Sequence, residues 1–240
     1  MLIKVADNEK HEQSLSLFEI GRIYLSRAND LPDEREILIG AMTGQRAQKT
    51  WNAATETVDF YDTKGVLEVL FGRLGVDAAF ELTEDATMLY GRKAKIIVGN
   101  QAIGVVGQLD PRFTEKYDVS SDPVYLFEVE MDKLLPCIRP LREYSQIARF
   151  PESTRDISLM VDVNLPSHKV QGMIEGTKLV SKVTLFDVYT GDELPAGKKT
   201  LAYSIVYQSP ERTLTDKEVN EVQDGLLQRL HKTLGATLRQ

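Results

Sequence analysis

The fold of the second half of the chain is decided by residues 155–177, RDISLMVDVNLPSHKVQGMIEGT. Apolar and polar residues alternate over 155–163, which predicts a strand with one buried face. The side chains on that face are Ile157, Leu159 and Val161. Beyond Pro166 the apolar spacing becomes helical, and a helix is predicted over 167–177. Its inward residues are Val170, Met173 and Ile174. The stretch is therefore the start of a β-α-β arrangement.

Two more strands, 179–189 and 198–208, follow on either side of a loop that contains glycine and proline. Thr215 and Glu218 then form a capping box, in which each side chain accepts a hydrogen bond from the backbone of the other residue. The helix that it opens carries one apolar stripe, at Val219, Val222, Leu226, Leu230 and Leu234. Gly235 ends this helix, and a last short strand follows. This order predicts a ferredoxin-like βαββαβ sandwich with both helices on one face of the sheet and the other face available.

The first half of the chain mixes strands and helices in an α+β pattern. Strands are predicted at 14–26, 37–43, 94–98, 102–109 and 124–131, with a hairpin across Gly99. A helix capped by Asp62 and stopped by Gly75 has one apolar face, formed by Val66, Leu67, Leu70, Phe71 and Leu74. A short helix begins at Asp110-Pro111. A mostly antiparallel sheet with helices packed on it is the natural assembly.

A domain boundary is predicted where prolines interrupt the chain between the two halves. Pro136, Pro140 and Pro151 lie in a segment of mixed polarity. Proline supplies no backbone donor and disfavours a helix before it, so this segment is interpreted as a domain edge. One domain is expected over 1–146 and a second over 147–240.

The composition is that of a soluble globular protein. The 240 residues are 42% hydrophobic and 27% charged, and no apolar run is long enough to span a bilayer. The single cysteine, Cys137, fits a reducing compartment, so a cytoplasmic location with no membrane contact is expected. The net charge of −7 comes from the first half, because 147–240 holds 12 basic and 12 acidic residues. This distribution permits RNA binding by the second half without requiring it.

The residues alone predict no catalytic site and no metal site. The three histidines, His11, His168 and His231, are far apart in the sequence and lack neighbours at metal-ligand spacing. Cys137 has no base near it in the sequence, and no glycine-rich phosphate loop occurs. Composition and spacing therefore leave binding functions as the main candidates.

Five sequence blocks of the second half stand in a specific order and spacing. They are FPESTRDISL at 150–159, LFDVYTG at 185–191, PAGKKTLA at 195–202, RTLTDKEV at 212–219 and GATLR at 235–239. Together they resemble the anticodon-binding domain of bacterial phenylalanyl-tRNA synthetase β chains. Three blocks of the first half resemble the synthetase-like core of the same chains. They are VDFYDTKG at 58–65, GRKA at 91–94 and IGVVGQLDP at 103–111.

The resemblance implies an α2β2 phenylalanine–tRNA ligase of the cytoplasm that uses ATP and magnesium. Catalysis would belong to the α subunit, and the first half of this chain would be a catalytically inactive core of the class II synthetase fold that packs against α. The sequence agrees, since it contains neither a Gly-x-Gly-x-x-Arg string nor an Arg-x-Glu string in a strand. No cofactor is expected in this chain alone. The family's upstream editing and metal-linked domains are missing, so a fragment or a truncated chain is expected.

The resemblance also implies which residues contact RNA. Tyr189 would stack on the first anticodon base, Asp187 would accept hydrogen bonds from the edge of that base, and the Thr200 hydroxyl would assist. Asp187 and Tyr189 are two apart on one strand, so they point to the same side. Single-stranded RNA is bound through stacking and through hydrogen bonds to base edges. The alternative is that Tyr189 closes the end of the sheet and Asp187 caps a turn beside Gly191.

Basic residues of the second half provide candidate phosphate contacts. Lys198 and Lys199 are predicted RNA contacts, and Lys178, Lys182 and Arg212 would extend them into a stripe. Lysines beside strands also commonly solvate a sheet edge, so both interpretations stay open.

Two interpretations concern residues that are not assigned to RNA. Arg155 and Asp156 are interpreted as an ion pair that positions the first strand of the second half. Tyr203 and Tyr207 share a strand face with apolar residues and are interpreted as core or half-buried residues.

Two other functions are weighed against RNA binding. One is a structural module that assembles with protein and contacts RNA only incidentally. The other is a catalytic class II ligase, against which the missing ATP-binding arginines argue. The resemblance favours tRNA(Phe) binding together with assembly on the α subunit.

Overall fold

The computed structural model describes residues 1–28, 30–47, 51, 56–120, 123–139, 149–191 and 193–239. The chain forms two compact units, Met1–Glu143 and Tyr144–Gln240. The domain boundary predicted between residues 146 and 147 lies outside the described residues. Within the ranges given above, no helix is long and apolar enough to cross a bilayer.

The first unit alternates strands and short helices along the chain. Its elements are α1 (Leu2–Asn8), β1 (Leu15–Leu25), β2 (Asp33–Thr43), α2 (Phe60–Leu74), β3 (Ala78–Leu82), β4 (Met88–Val98), β5 (Gln101–Leu109), α3 (Pro111–Lys116), β6 (Val124–Glu130) and α4 (Met131–Leu134), followed by a 3-10 turn (Leu135–Cys137). The six strands form one antiparallel sheet in the order β1-β2-β6-β5-β4-β3. The predicted antiparallel sheet with packed helices is confirmed.

Helix α2 covers one face of this sheet and creates the larger core of the first unit. Leu67 and Phe71 of α2 are buried in a cluster with strand residues. The strand members of that cluster include Ile96, Ile103, Val106, Phe127 and Val129. Burying each large apolar side chain stabilises the fold by roughly 1.5–3 kcal/mol. A second cluster, around Val5 and Leu109, packs α1 against the sheet.

Helix α2 begins before the residue that was predicted to cap it. Asp59 is the N-cap, and its carboxylate accepts hydrogen bonds from the backbone N–H groups of Tyr61 and Asp62. The Asp62 carboxylate accepts in turn from the Asp59 backbone N–H at 2.8 Å, so Asp62 closes a capping box as the third helical residue. Gly75 ends the helix in the left-handed conformation, as predicted, with φ of 67°.

Other details of the first unit also differ from the predictions. Val66 was expected to face inward but is exposed, because the buried side of α2 is a narrow stripe centred on Leu67 and Phe71. Strand β2 begins at Asp33 instead of residue 37, since its charged first residues still pair with β1. Strand β3 was not predicted, because its five residues show no clear alternation of buried and exposed positions.

The second unit has the predicted ferredoxin-like order. Its elements are β7 (Ser153–Asp162), α5 (Ser167–Glu175), β8 (Val180–Tyr189), β9 (Lys198–Tyr207), α6 (Asp216–Leu234) and β10 (Thr237–Leu238). The strands form an antiparallel sheet in the order β10-β7-β9-β8. Both helices pack on one face and close the core, whose buried members include Leu159, Val161, Val170, Ile174, Leu201, Ile205, Leu226 and Leu230.

Helix α6 opens with the predicted capping box. The Thr215 hydroxyl accepts from the Glu218 backbone N–H, and the Glu218 carboxylate accepts from the Thr215 backbone N–H at 2.9 Å. Gly235 ends the helix in the left-handed conformation, with φ of 64°. The fold of this unit therefore follows local signals closely.

The predictions for the two tyrosines of β9 and for Arg155 of β7 have different outcomes. Tyr203 and Tyr207 are fully buried, which confirms them as core residues. The predicted Arg155–Asp156 ion pair is wrong, because adjacent residues on a strand point to opposite faces. Arg155 instead pairs with Asp216 in the first turn of α6, with 2.6 Å between Nη2 and Oδ1.

Candidate nucleic-acid interface

In residues 149–191 and 193–239, helices cover one face of the sheet of the second unit and leave the other face without a helix. Leu201 and Tyr203 of β9 point into the core beneath α5 and α6. Side chains alternate along a strand, so Thr200 and Ala202 point to the opposite side. We call this side, which carries Thr200 and Ala202, the open face.

A β-bulge in β8 decides on which face Asp187 and Tyr189 lie. Leu185 packs against the core, so strict alternation would put Asp187 and Tyr189 on the core side as well. The pairing with β9 shifts at Phe186, because Leu185 is opposite residue 203 while Asp187 is opposite residue 202. One extra residue moves all following side chains to the other face. Asp187 and Tyr189 therefore both lie on the open face.

Tyr189 lies against the backbone of Gly191. The ring is half-buried, and a Cβ atom at residue 191 would overlap it. Only glycine leaves room for the ring to lie down on the chain at this point. Asp187, on the same side, is exposed and makes no hydrogen bond or ion pair with the part of the chain that the structure describes. A ring beside an unpaired carboxylate can stack on a base and accept hydrogen bonds from its edge.

Thr200 lies on β9 next to Tyr189, but its hydroxyl is covered. The residue is opposite Tyr189 of β8 and Met160 of β7, and is 4% exposed. Its Oγ1 atom is buried and has no hydrogen-bond partner among the described residues. A buried hydroxyl without a partner is unfavourable, so a hydrogen bond to an added group would stabilise this position.

The two predicted lysines lie on different faces. Lys198 is on the side of Thr200, at the start of β9, and its ammonium group has no carboxylate partner within the described ranges. Lys199 is two residues before Leu201 on β9, so both side chains lie on the helix-covered side. Burial there lowers the pKa of Lys199, and the nearby Asp162 carboxylate partly offsets the effect. The structure brings Asp187, Tyr189, Thr200 and Lys198 together, and it separates Lys199 from them.

Arg239 joins this site although the sequence did not single it out as an RNA contact. The guanidinium carbon of Arg239 lies 5.4 Å from the centroid of the Tyr189 ring. The Arg239 backbone N–H donates to the Ser158 carbonyl at 2.8 Å and so continues the pairing of β10 with β7. The one sequence signal that includes this residue is the GATLR block at 235–239. That block does not indicate which other strand Arg239 contacts.

The other basic residues do not form a continuous stripe next to Tyr189. Arg212 is paired with Glu218 at the start of α6. Lys178 and Lys182 lie near the beginning of β8, whereas Tyr189 is its last residue. Arg239 is the cationic side chain found over the ring within the described residues, and Lys198 lies two residues before Thr200 on β9.

The loop between β8 and β9 forms a shallow depression beside Tyr189. Its volume is about 420 Å³, and it is lined by Thr190, Gly191 and residues 194–198. In the described part of the chain, no group of three or more His, Cys, Asp or Glu side chains is placed to hold a metal ion.

Comparison with known families assigns both parts of the chain. The family described as "Phenylalanyl tRNA synthetase beta chain CLM domain" matches residues 1–131. The chain belongs to the phenylalanyl-tRNA synthetase β-chain family. The family described as "Ferredoxin-fold anticodon binding domain" matches residues 148–239, which carry the open face. The fold class expected for this β-chain family, an antiparallel synthetase-like domain followed by a ferredoxin-like sandwich, agrees with the observed topology.

Curated members of the β-chain family are much longer than this chain. The phenylalanine–tRNA ligase β subunit of Dehalococcoides mccartyi strain 195 is 38% identical over 236 residues, which are 98% of this chain and 29% of that protein. The β subunit of Geobacillus kaustophilus is 41% identical over 232 residues, 95% of this chain and 29% of that protein. The chain therefore spans 29% of the length of these relatives.

A solved pyrrolysyl-tRNA synthetase from Desulfitobacterium hafniense is similar to part of the chain. The TM-score is 0.41 with 17% identity, over 56% of this chain and 45% of that protein. This likeness is too remote to support any assignment.

Proposed function

We propose that this chain binds the anticodon of tRNA(Phe) as part of a cytoplasmic α2β2 phenylalanine–tRNA ligase. In this assembly the α subunit catalyses aminoacylation with ATP and magnesium, and the chain described here is not catalytic by itself. The first unit contacts the α subunit and the second unit contacts RNA. Support comes from the family of the chain and from its relatives, which are named as β subunits of that ligase.

The pairing of an aromatic ring with an unpaired carboxylate on the open face carries the proposal. Tyr189 stacks on the first anticodon base, and Asp187 accepts hydrogen bonds from donors on the edge of that base, as guanine would provide. Thr200 supplies a hydroxyl group from the neighbouring strand, and Lys198 attracts the RNA backbone. No RNA contact is assigned to Lys199 in this proposal, because its side chain lies on the helix-covered side.

Replacement of Tyr189 by alanine tests the stacking contact. We expect Tyr189→Ala to weaken binding of tRNA(Phe) by roughly 1–3 kcal/mol, the usual contribution of one base–aromatic stack. Filter binding measures the effect on the chain, and the same substitution is then introduced into the enzyme assembled with α.

Val188 provides the matched control for this experiment. It lies between Asp187 and Tyr189, is exposed, and is opposite the core residue Leu201, so it lies on the other face of β8. Val188→Ala should leave RNA binding unchanged. If folded, assembled Tyr189→Ala protein binds tRNA as tightly as the Val188→Ala control, Tyr189 is not part of the interface.

An apolar row on the edge strand β1 favours assembly as a second function. Phe18, Ile20 and Tyr24 lie on one side of β1 and are 75%, 53% and 60% exposed. Within the described residues β1 pairs only with β2, so its outer edge is free to meet another chain. An exposed apolar row on a free edge is typical of an interaction surface. We assign this row to the contact with the α subunit.

The substitution Phe18→Asp tests that assignment. We expect it to weaken association with α by at least about 1.5 kcal/mol, since burial of one large apolar side chain contributes roughly that much. Co-purification of the two chains at decreasing concentrations measures the change. Leu82→Asp is the control, because Leu82 is 78% exposed on β3, at the opposite edge of the same sheet. Equal losses for both variants would rule out the row on β1 as the contact.

A further inference from the structure

The open face of the second unit is crossed by a bridge of two side chains, Arg239 and Tyr189. Tyr189 is the last residue of β8, and Arg239 directly follows β10. These two strands form the opposite edges of the sheet. The Arg239 guanidinium nevertheless lies 5.4 Å from the centre of the Tyr189 ring. The two side chains must therefore extend toward each other over β7 and β9.

Thr200 lies next to the Tyr189 end of this bridge. Thr200 lies on the central strand β9, opposite Tyr189 on one side and Met160 on the other. The residue is buried although no helix covers this face, and its Oγ1 atom has no partner within the described ranges. The open face is therefore covered at Thr200, beside the Tyr189 end of the bridge.

The Arg239 side chain is weakly held. Besides the ring contact, its one ion pair with the described residues is to Glu193, with 3.7 Å between Nη2 and Oε2, and the Glu193 side chain is 77% exposed. Such an exposed pair contributes little, and a cation–π stack at a partly exposed site is also weak. The guanidinium can therefore leave the ring when a better partner arrives.

A stacked base and a stacked guanidinium compete for the same kind of surface. Both are flat groups that lie on an aromatic ring, and a guanidinium also binds phosphate through two parallel hydrogen bonds. We propose that Arg239 is a nucleotide-binding residue of this chain: it covers the Tyr189 ring in the free protein and moves to an RNA phosphate when a base takes its place. This inference rests on the proposed function and adds to it a residue, a phosphate contact and an order of events.

The salt dependence of RNA binding tests the phosphate contact. For single-stranded nucleic acid, each phosphate neutralised contributes about 0.7 to the slope of log K against log salt concentration. We expect Arg239→Gln to weaken binding of an RNA hairpin with the tRNA(Phe) anticodon loop and to reduce that slope by about 0.7. Arg239→Lys should keep the slope, because it keeps the charge. A purely structural role of Arg239 would leave the slope unchanged in both variants.

Lys217→Gln is the matched control. It removes the same charge from an 86% exposed side chain in the first turn of α6, away from the open face. Its slope should equal that of the unmodified chain. Thermal unfolding of all three variants establishes that they are folded.

The outcomes separate this inference from the function on which it rests. If Tyr189→Ala weakens hairpin binding while Arg239→Gln leaves the slope unchanged, the inference about Arg239 is overturned and anticodon binding stands. Tighter binding by Arg239→Gln with an unchanged slope overturns it too, since Arg239 would then only compete with the base. Failure of the unmodified chain and of the assembled enzyme to bind the hairpin overturns both.

Discussion

At the scale of single residues, the site depends on small details that set the position of one ring. Gly191 allows Tyr189 to lie on the backbone, and Arg239 covers the ring from the far edge of the sheet. Asp187 keeps its carboxylate free of ion pairs with the described residues. The ring and the carboxylate can then act on one base, because they share a face and are next-but-one neighbours on β8.

Gly191→Ala is expected to reduce RNA binding without unfolding the second unit. The new Cβ atom would overlap the Tyr189 ring, so the ring must turn away from its position on the open face. We expect a loss of up to about 1–3 kcal/mol, the contribution of one base–aromatic stack. Hairpin binding measures the loss. Gly172→Ala on α5 is the control, since a Cβ there would meet no described atom within 4 Å beyond its neighbouring residues and the backbone of its own helix. Equal binding by the two variants would contradict the role of Gly191.

At the scale of elements, helix α6 positions the last strand and therefore Arg239. The Thr215–Glu218 capping box fixes the start of α6, and Gly235 turns the chain into β10. Side-chain hydrogen bonds from Arg212, together with those from Thr215, lower the pKa of Glu218 to about 2 from 4.5. A lowered pKa means that the folded state prefers the ionised carboxylate, so protonation of Glu218 weakens α6.

The stabilisation from ionised Glu218 is expected to depend on pH. It is fully present above a pH of about 4.5 and is lost as the pH falls through about 2, because the folded-state pKa lies below the unfolded one. Glu218→Gln keeps a side chain that can accept from the Thr215 backbone but carries no charge. The unfolding temperature of the variant should lie below that of the unmodified chain at neutral pH, and the difference should shrink as the pH falls. Calorimetry measures it, and a difference that stays constant over this range would contradict the assignment.

At the scale of the whole molecule, charge and chemistry are divided between the two halves of the chain. The net charge of −7 is contributed by residues before 147, while 147–240 is neutral. In the proposed function, RNA would therefore be attracted by local cations on the open face and not by a general positive field. The acidic first unit instead exposes an apolar row at Phe18, Ile20 and Tyr24, which we propose as its contact with protein.

The chain alone is expected not to catalyse phenylalanine-dependent ATP–pyrophosphate exchange. The sequence has no Gly-x-Gly-x-x-Arg string and no Arg-x-Glu string with which to grip ATP. The assay compares the chain alone, the α subunit, and the two together, with exchange expected only where α is present. Exchange that increases with the concentration of this chain alone would show that it is itself a ligase.

Local sequence signals predicted most of the fold because they act over a few residues. The alternation over 155–163, the capping box at Thr215 and the glycine stops at Gly75 and Gly235 each specify an element through neighbouring backbone groups. The cap of α2 was misplaced because Asp59 and Asp62 both fit the pattern, and only the backbone shows which carboxylate precedes the helix.

Long-range strand pairing decided the rest. Alternation along β8 predicts that Asp187 and Tyr189 point to the same side as each other, but the extra residue at Phe186 decides that this side is the open face. A bulge arises from the register between two strands, so no periodicity within one strand reveals it. The meeting of Arg239 with Tyr189 likewise requires β10 to pair with β7, which joins residues that are distant in the sequence. Local chemistry thus specified the elements and the candidate residues, and the register between strands determined which of those residues share a surface.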